Sequence, residues 1–228
     1  MKRFSLIIPA AGYGARSGST VPKQYVPING VPMLAHTLHA FGRRADCGEI
    51  IVAIDPAWRK EAEQCATGLA SVRFVEGGAE RQHSIFRALA ALNGSESIVL
   101  VHDAARPCIT SALIDRLLEA AEQHGAAIPA LPLTDTVKRV DGDGQVVATL
   151  ARADLRTVQT PQAFRRPLLE RAYHNANEQN LLATDDAGLV EALGEPVVVV
   201  VGDPHNIKVT GPEDFKRVEA LLANAGSL

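Results

Sequence analysis

Cysteine is scarce in this chain, and the cysteines present form no recognisable pair. Cys47, Cys65 and Cys108 lie far apart, with no C-x-x-C spacing. That pattern excludes a disulfide framework and a cysteine zinc site, and it predicts reduced, structural thiols in a cytoplasmic protein. Long apolar runs are missing as well. The runs at 4–8 and 197–201 are far too short to span a bilayer, so no membrane partner is expected. The first run follows Lys2 and Arg3 as a signal peptide would. Pro9, Gly12 and Arg16 come next without a cleavage site, so a strand is expected there instead. No Ser/Gly-rich linker, charge block, low-complexity segment or repeat marks a boundary. One domain over 1–228 is therefore expected. Nor is there an excess of positive charge. A net charge of -3 argues against a broad nucleic-acid-binding face, which must neutralise many phosphates.

What is present is the composition of a soluble globular chain. Of its 228 residues, 46% are hydrophobic and 21% charged, enough for a sizeable core. Short apolar runs alternate with amphipathic stretches. Strands are predicted at 4–8, 49–54, 72–75, 97–102, 126–131 and 197–201, and helices at 33–44, 58–69, 80–92, 112–124, 167–176 and 212–223. Thr210 and Glu213 are spaced as a capping box for the last helix. This alternation predicts an α/β fold: an open, mostly parallel twisted sheet with helices on both faces. In such sheets ligands bind beyond the carboxyl ends of the strands. One segment breaks the pattern. Residues 136–150 read as two extended runs around Asp141-Gly142-Asp143-Gly144, a hairpin signal. A two-stranded hairpin is marginal alone, so it should pack on the parent sheet or on another subunit.

The loops after the strands carry the distinctive residues. PAAGYGARSGSTVPKQY, 9–25, combines Gly12, Gly14 and Gly18 with Arg16 and Lys23. Close-approaching backbone N–H groups and fixed cations suit a polyphosphate. The dinucleotide fingerprint fails here, because Ser17 stands where its last glycine belongs, and no G-K-[ST] makes a P-loop. A glycine cluster on its own reads as a surface loop. VHDAARP, 101–107, puts Asp103 at a strand end with Arg106 three residues on. Alone, that pair reads as a helix cap with a surface arginine. GGAERQHS, 77–84, opens a helix whose first N–H groups and Ser84 can meet polar ligand atoms, or is a plain helix entry. Lys208 is a lone lysine at a strand end. His36 and His39 share a helix face but lack a third metal ligand.

Taken together, PAAGYGARSGSTVPKQY, GGAERQHS, VHDAARP, LTDTVKR, TVQTPQAF, TDDAG and NIKVTGPEDF stand in the order of one family. Over nearly its whole length the chain resembles the cytidylyltransferases acting on 2-C-methyl-D-erythritol 4-phosphate in non-mevalonate isoprenoid synthesis. The resemblance implies a Rossmann-like nucleotidyltransferase fold whose hairpin arm, 134–156, clasps a second subunit in a homodimer. It implies that Ala10, Ala11, Gly12, Gly14, Arg16 and Lys23 contact CTP, that Gly77, Gly78 and Ser84 face the cytosine, and that Ala104 meets the ribose. Asp103, Arg106, Thr136, Arg152, Thr160 and Lys208 would surround the acceptor phosphate, some of them contributed by the partner's arm. Arg16, Lys23, Arg152 and Lys208 would carry the catalysis. Mg²⁺ would be held by CTP phosphates and water, with Asp103 as a candidate ligand. Ala79 and His205 depart from the family, which often has acidic residues at these places. Relatives sometimes carry a fused cyclase. This chain ends soon after its last predicted helix, so no second enzyme is expected. The alternatives are a cytidylyltransferase for another polyol phosphate, such as ribitol 5-phosphate, and a nucleotide-binding regulatory module without turnover.

Overall fold

In chain order the elements are β1 (Phe4–Ala10), β2 (Pro27–Ile28), β3 (Val31–Pro32), α1 (Met33–Gly42), β4 (Cys47–Ile54), α2 (Arg59–Cys65), β5 (Val72–Glu76), α3 (Arg81–Ala90), β6 (Ile98–Val101), α4 (Ser111–His124), β7 (Ala126–Pro132), β8 (Val137–Val140), β9 (Val146–Leu150), β10 (Arg156–Val158), β11 (Gln162–Arg165), α5 (Arg166–Glu178), α6 (Asp186–Glu191), β12 (Val198–Val201) and α7 (Pro212–Ala225). The structure is a computed structural model and describes residues 3–12 and 21–225. Gly14, Arg16 and Gly18 lie outside the described residues.

Burial on both faces organises the sheet. On β1, Phe4, Leu6, Ile8 and Ala10 enter one apolar cluster and Ile7 enters another on the opposite face, because side chains alternate along a strand. On β4, Ile50, Val52 and Ile54 join the first cluster, while Ile51 and Ala53 join the second. Helices α1, α2 and α4 cover the first face through Leu34, Leu38, Phe41, Ala62, Leu113 and Leu117. The second face is covered by α3, α5 and α6 through Ile85, Leu89, Leu169, Tyr173 and Leu189. Each large apolar side chain among these stabilises the fold by about 1.5–3 kcal/mol.

Strands β5, β4, β1 and β6 are parallel neighbours. β11 then inserts antiparallel between β6 and β7. Ala127 pairs with both Ala163 and Val198, so β12 runs along the far edge of β7. β10 pairs antiparallel with the end of β7. The six predicted strands and the six predicted helices are all present, with ends shifted by a few residues. β10, β11 and α6 had no sequence signal. They span 3, 4 and 6 residues, too few to establish a period.

The cap of the last helix sits one residue later than Thr210 and Glu213 suggested. Pro212 occupies the first helical turn, and Asp214 reaches back to the amides of Thr210 and Gly211 at 2.8 and 3.0 Å, while Glu213 pairs with Lys216. Proline lacks an N–H and suits the first helical position, which moves the capping register forward.

The hairpin forms as predicted. Asp141 Oδ1 accepts from the amides of Asp143 and Gln145, and Gly144 adopts φ +81°, a conformation that favours glycine. Strands β8 and β9 pair only with each other among the described residues, so the parent sheet is not their support. At the base of the arm, Arg152 donates to the carbonyl of Thr134.

The three thiols are unpaired. Burial pushes Cys65 and Cys108 up to about 11 and Cys47 up to about 12, as expected of structural cysteines. Among the described residues no helix is long and apolar enough to cross a membrane.

Candidate active site

The carboxyl ends of β1, β5 and β6 and the start of α3 surround a cleft of about 390 Å³. β1 delivers Pro9, Ala10, Ala11 and Gly12 to it, β6 delivers Asp103 and Ala104, and the turn before α3 delivers Gly78 and Arg81. Lys23 and Lys208 complete the wall. The loop after β1 is held from below: the buried Gln24 amide donates to the carbonyls of Ala10 and Gly12 at 2.6 and 3.2 Å.

Tight packing joins the two glycine segments. A Cβ on Gly77 would lie 2.2 Å from the Cβ of Ala11, and one on Gly78 would lie 2.3 Å from the Cβ of His83. Only glycine fits such approaches. Ser84 is buried, and its hydroxyl accepts from Gly78 N at 3.0 Å and donates to Glu80 O at 3.1 Å. It therefore shapes the turn that was expected to face the base.

Asp103 is the electrostatic centre. Its Oδ2 lies 2.8 Å from Lys208 Nζ and 3.7 Å from Arg106 Nε, and its Oδ1 lies 3.3 Å from Arg81 Nε. Burial alone would raise the carboxyl pKa. The charges of Arg81 and Lys208 outweigh it and hold Asp103 well below the usual carboxylate range. The Asp103 amide donates to Thr160 Oγ1 at 2.9 Å. Behind it, His102 Nε2 meets the Arg106 carbonyl at 3.0 Å and Nδ1 meets Thr160 Oγ1 at 3.1 Å. A carbonyl only accepts, so Nε2 carries the proton and Nδ1 accepts from the threonine. Lys23 Nζ donates to the carbonyl of Val209 at 2.8 Å, which ties the first loop to the Lys208 segment.

The structure thus brings Ala10, Ala11, Gly12, Lys23, Gly78, Ser84, Asp103, Ala104 and Lys208 to one cleft, with Gly77 packed directly behind. Arg106 and Thr160 lie one layer deeper. The Arg106 guanidinium donates to Asn206 O at 2.7 Å, so it braces the Lys208 loop rather than projecting toward solvent. Thr136 and Arg152 sit exposed on the arm, outside the cleft lining of their own chain. His36 bonds the carbonyl of Ile28 at 2.9 Å, and among the described residues no group of metal-ligating side chains forms around either histidine. Sequence reasoning missed Gln24, Arg81 and Asp186. Arg81 and Asp186 meet at 2.8 Å across 105 residues, a separation at which no local pattern operates.

Such a fold and cleft define an α/β protein of the nucleotide-binding class, with its ligand site beyond the strand ends. Residues 4–224 match the model of the family described as IspD, 2-C-methyl-D-erythritol 4-phosphate cytidylyltransferase, and the chain belongs to that family. It is 46% identical over 222 residues to the 2-C-methyl-D-erythritol 4-phosphate cytidylyltransferase of Bacillus mycoides, covering 96% of this chain and 97% of the relative. The enzyme of that name from Thermus thermophilus has a crystal structure superposing with a TM-score of 0.81 at 40% identity, covering 98% of this chain and 100% of that one. The Francisella tularensis enzyme gives a TM-score of 0.85 at 33% identity, covering 96% and 100%.

Proposed function

We infer that this chain transfers CMP from CTP to 2-C-methyl-D-erythritol 4-phosphate and releases pyrophosphate, a step in isoprenoid precursor synthesis. The observation that carries the reading is the cleft, where Asp103 stands among Lys208, Arg81 and Arg106 and Lys23 joins the lining, in a chain of that family. The nucleophile is an oxygen of the acceptor phosphate monoester. Its second pKa is about 6, so it is largely dianionic at neutral pH and needs no general base. The oxygen forms a bond to the α-phosphorus of CTP as the bond to the departing pyrophosphate breaks. Two anions must meet, so catalysis rests on positioning and charge neutralisation.

In this reading the N–H groups around Ala10, Ala11 and Gly12 hold the triphosphate, and Lys23 and Lys208 stabilise charge on the α-phosphoryl group. Arg16, with Gly14, serves the pyrophosphate from the loop outside the described residues. The Gly77–Gly78 turn, shaped by Ser84, meets the cytosine, and Ala104 meets the ribose. Asp103 orients Lys208 and the acceptor. Among the described residues no three His, Cys, Asp or Glu side chains converge on a metal position, and the Asp103 oxygens already face cations. Mg²⁺ would be held by CTP phosphates and water, with Asp103 as the candidate protein ligand. When bound it supplies charge neutralisation at the phosphates.

The arm joins two copies of the chain in this reading. Val140, Val146, Val147 and Leu150 are exposed on it, an apolar surface that a second copy would cover. Thr136 and Arg152 would then complete the acceptor site of the other copy. Unpaired thiols and soluble anionic substrates are in keeping with a cytoplasmic setting. The test is pyrophosphate release by the purified protein with Mg²⁺. Release that requires both CTP and acceptor supports the reading, and CTP binding without turnover would mark a regulatory module instead.

A further inference from the structure

The TDDAG segment, 184–188, contributes no residue to the lining of the cleft, yet it places Asp186 fully out of water. Capping does not account for this residue. Asp185 caps α6, accepting from the Gly188 amide at 3.0 Å. Burying a carboxylate is costly, and a buried ion pair is weak evidence for stability. Asp186 instead has two donors. Arg81 Nη2 reaches it at 2.8 Å, and the buried Tyr173 hydroxyl donates to its other oxygen. Arg81 is one-third exposed in the cleft, and its Nε faces Asp103 Oδ1 at 3.3 Å.

We propose that Asp186, held by Tyr173, is a positioning residue that anchors the Arg81 fork and so fixes the Asp103–Lys208 pair. This rests on the functional reading above. A guanidinium offers a planar fork that binds a carboxylate bidentately. With one nitrogen tied to Asp186, Arg81 engages a single oxygen of Asp103. The other oxygen remains for Lys208 at 2.8 Å. Freed from Asp186, the fork would close on both Asp103 oxygens and displace the lysine from its place beside the reacting phosphoryl group. Burial of Tyr173, followed by the neighbouring Asp186 charge, raises the phenol well above its ordinary pKa, so it stays protonated as a donor. Burial works against the Arg81 charge, but the Asp186 and Asp103 carboxylates outweigh it and raise its pKa.

The experiment combines kinetics with nitrogen-15 NMR of arginine side chains on the full chain. Asp186→Asn is expected to lower kcat roughly 10- to 100-fold with KM for CTP little changed, the cost of a misplaced catalytic group. Tyr173→Phe should show a smaller loss of the same kind. The Asp186→Asn/Arg81→Gln double variant should be no slower than the slower single one, because both act through one guanidinium. The Arg81 Nε–H signal, assigned by its loss in Arg81→Gln, should shift in Asp186→Asn and in Tyr173→Phe. Should Asp186→Asn fail to fold, Tyr173→Phe carries both readouts. Wild-type kcat in the folded single variants, losses that multiply in the double variant, or an unmoved Arg81 signal would overturn the proposal. If the unsubstituted chain turns nothing over while the variants still shift the Arg81 signal, the functional reading falls and the anchoring of the fork is supported.

Discussion

Gly77 and Ala11 meet at the point where the loops after β5 and β1 touch, and a Cβ on the glycine would lie 2.2 Å from the alanine methyl. The contact couples the turn expected to recognise the base to the loop expected to hold the triphosphate. Gly77→Ala should therefore spread the two loops. Overpacking costs about 1–3 kcal/mol, and a shift of about 1 Å can cost on the order of 100-fold in rate. Lowered kcat/KM for CTP, with the chain still folded by circular dichroism, is expected. Unchanged kinetics would show that the loops do not act together.

Lys23→Ala should leave the fold intact, because the residue opens a single 3-10 turn and its side chain belongs to no apolar cluster. Turnover should fall by about 100- to 1,000-fold, the usual effect of removing one group that stabilises transition-state charge. Binding of CTP measured by calorimetry should weaken much less. Equal losses in binding and turnover would instead assign the lysine to ground-state binding.

The candidate site was legible in the glycine-and-cation stretch that holds Lys23 and in the order of the motifs. Singly, Asp103 reads as a helix cap and Lys208 as a lone lysine, and the close packing that requires glycine at 77 and 78 is visible only in the structure. The sheet was legible through continuous apolar runs such as 50–54. What stayed hidden depends on contacts distant in the chain. Gln24 looks like an ordinary loop amide until its hydrogen bonds to Ala10 and Gly12 are seen. Arg106 and Thr160, expected to meet the acceptor, lie buried behind the cleft lining, because burial cannot be read from residue type.

His102 gives the protein an acid-sensitive element. It is fully buried, and burial pushes its pKa down to about 4, below the roughly 6.5 of an unfolded histidine. The unfolded chain therefore takes up this proton first. Its contribution to stability is complete above about pH 6.5 and is lost as pH falls toward about 4. Asp103, with its depressed carboxyl pKa, adds a further loss at lower pH still. The urea midpoint should fall between pH 7 and 4.5 in the wild type and fall less in His102→Gln. Equal slopes in the two proteins would remove His102 from the account.

The arm reading is tested by mixing inactive variants. Arg152→Ala and Lys208→Ala homodimers should each be nearly inactive. After subunit exchange, a mixed dimer whose sites draw Arg152 from one copy and Lys208 from the other holds one complete site, and activity should return. Failure to recover activity, with exchange shown independently, would place Arg152 in the site of its own chain.

The central claim is the identity of the reaction, and the most direct measurement follows both products. CTP and Mg²⁺ are supplied with either 2-C-methyl-D-erythritol 4-phosphate or ribitol 5-phosphate, and phosphorus NMR records pyrophosphate and the new diphosphate diester. The account predicts equal amounts of the two products with the methylerythritol phosphate, and kcat/KM for that acceptor far above the value for ribitol 5-phosphate. Efficient turnover of ribitol 5-phosphate with little of the other, or no diester from either, would contradict it.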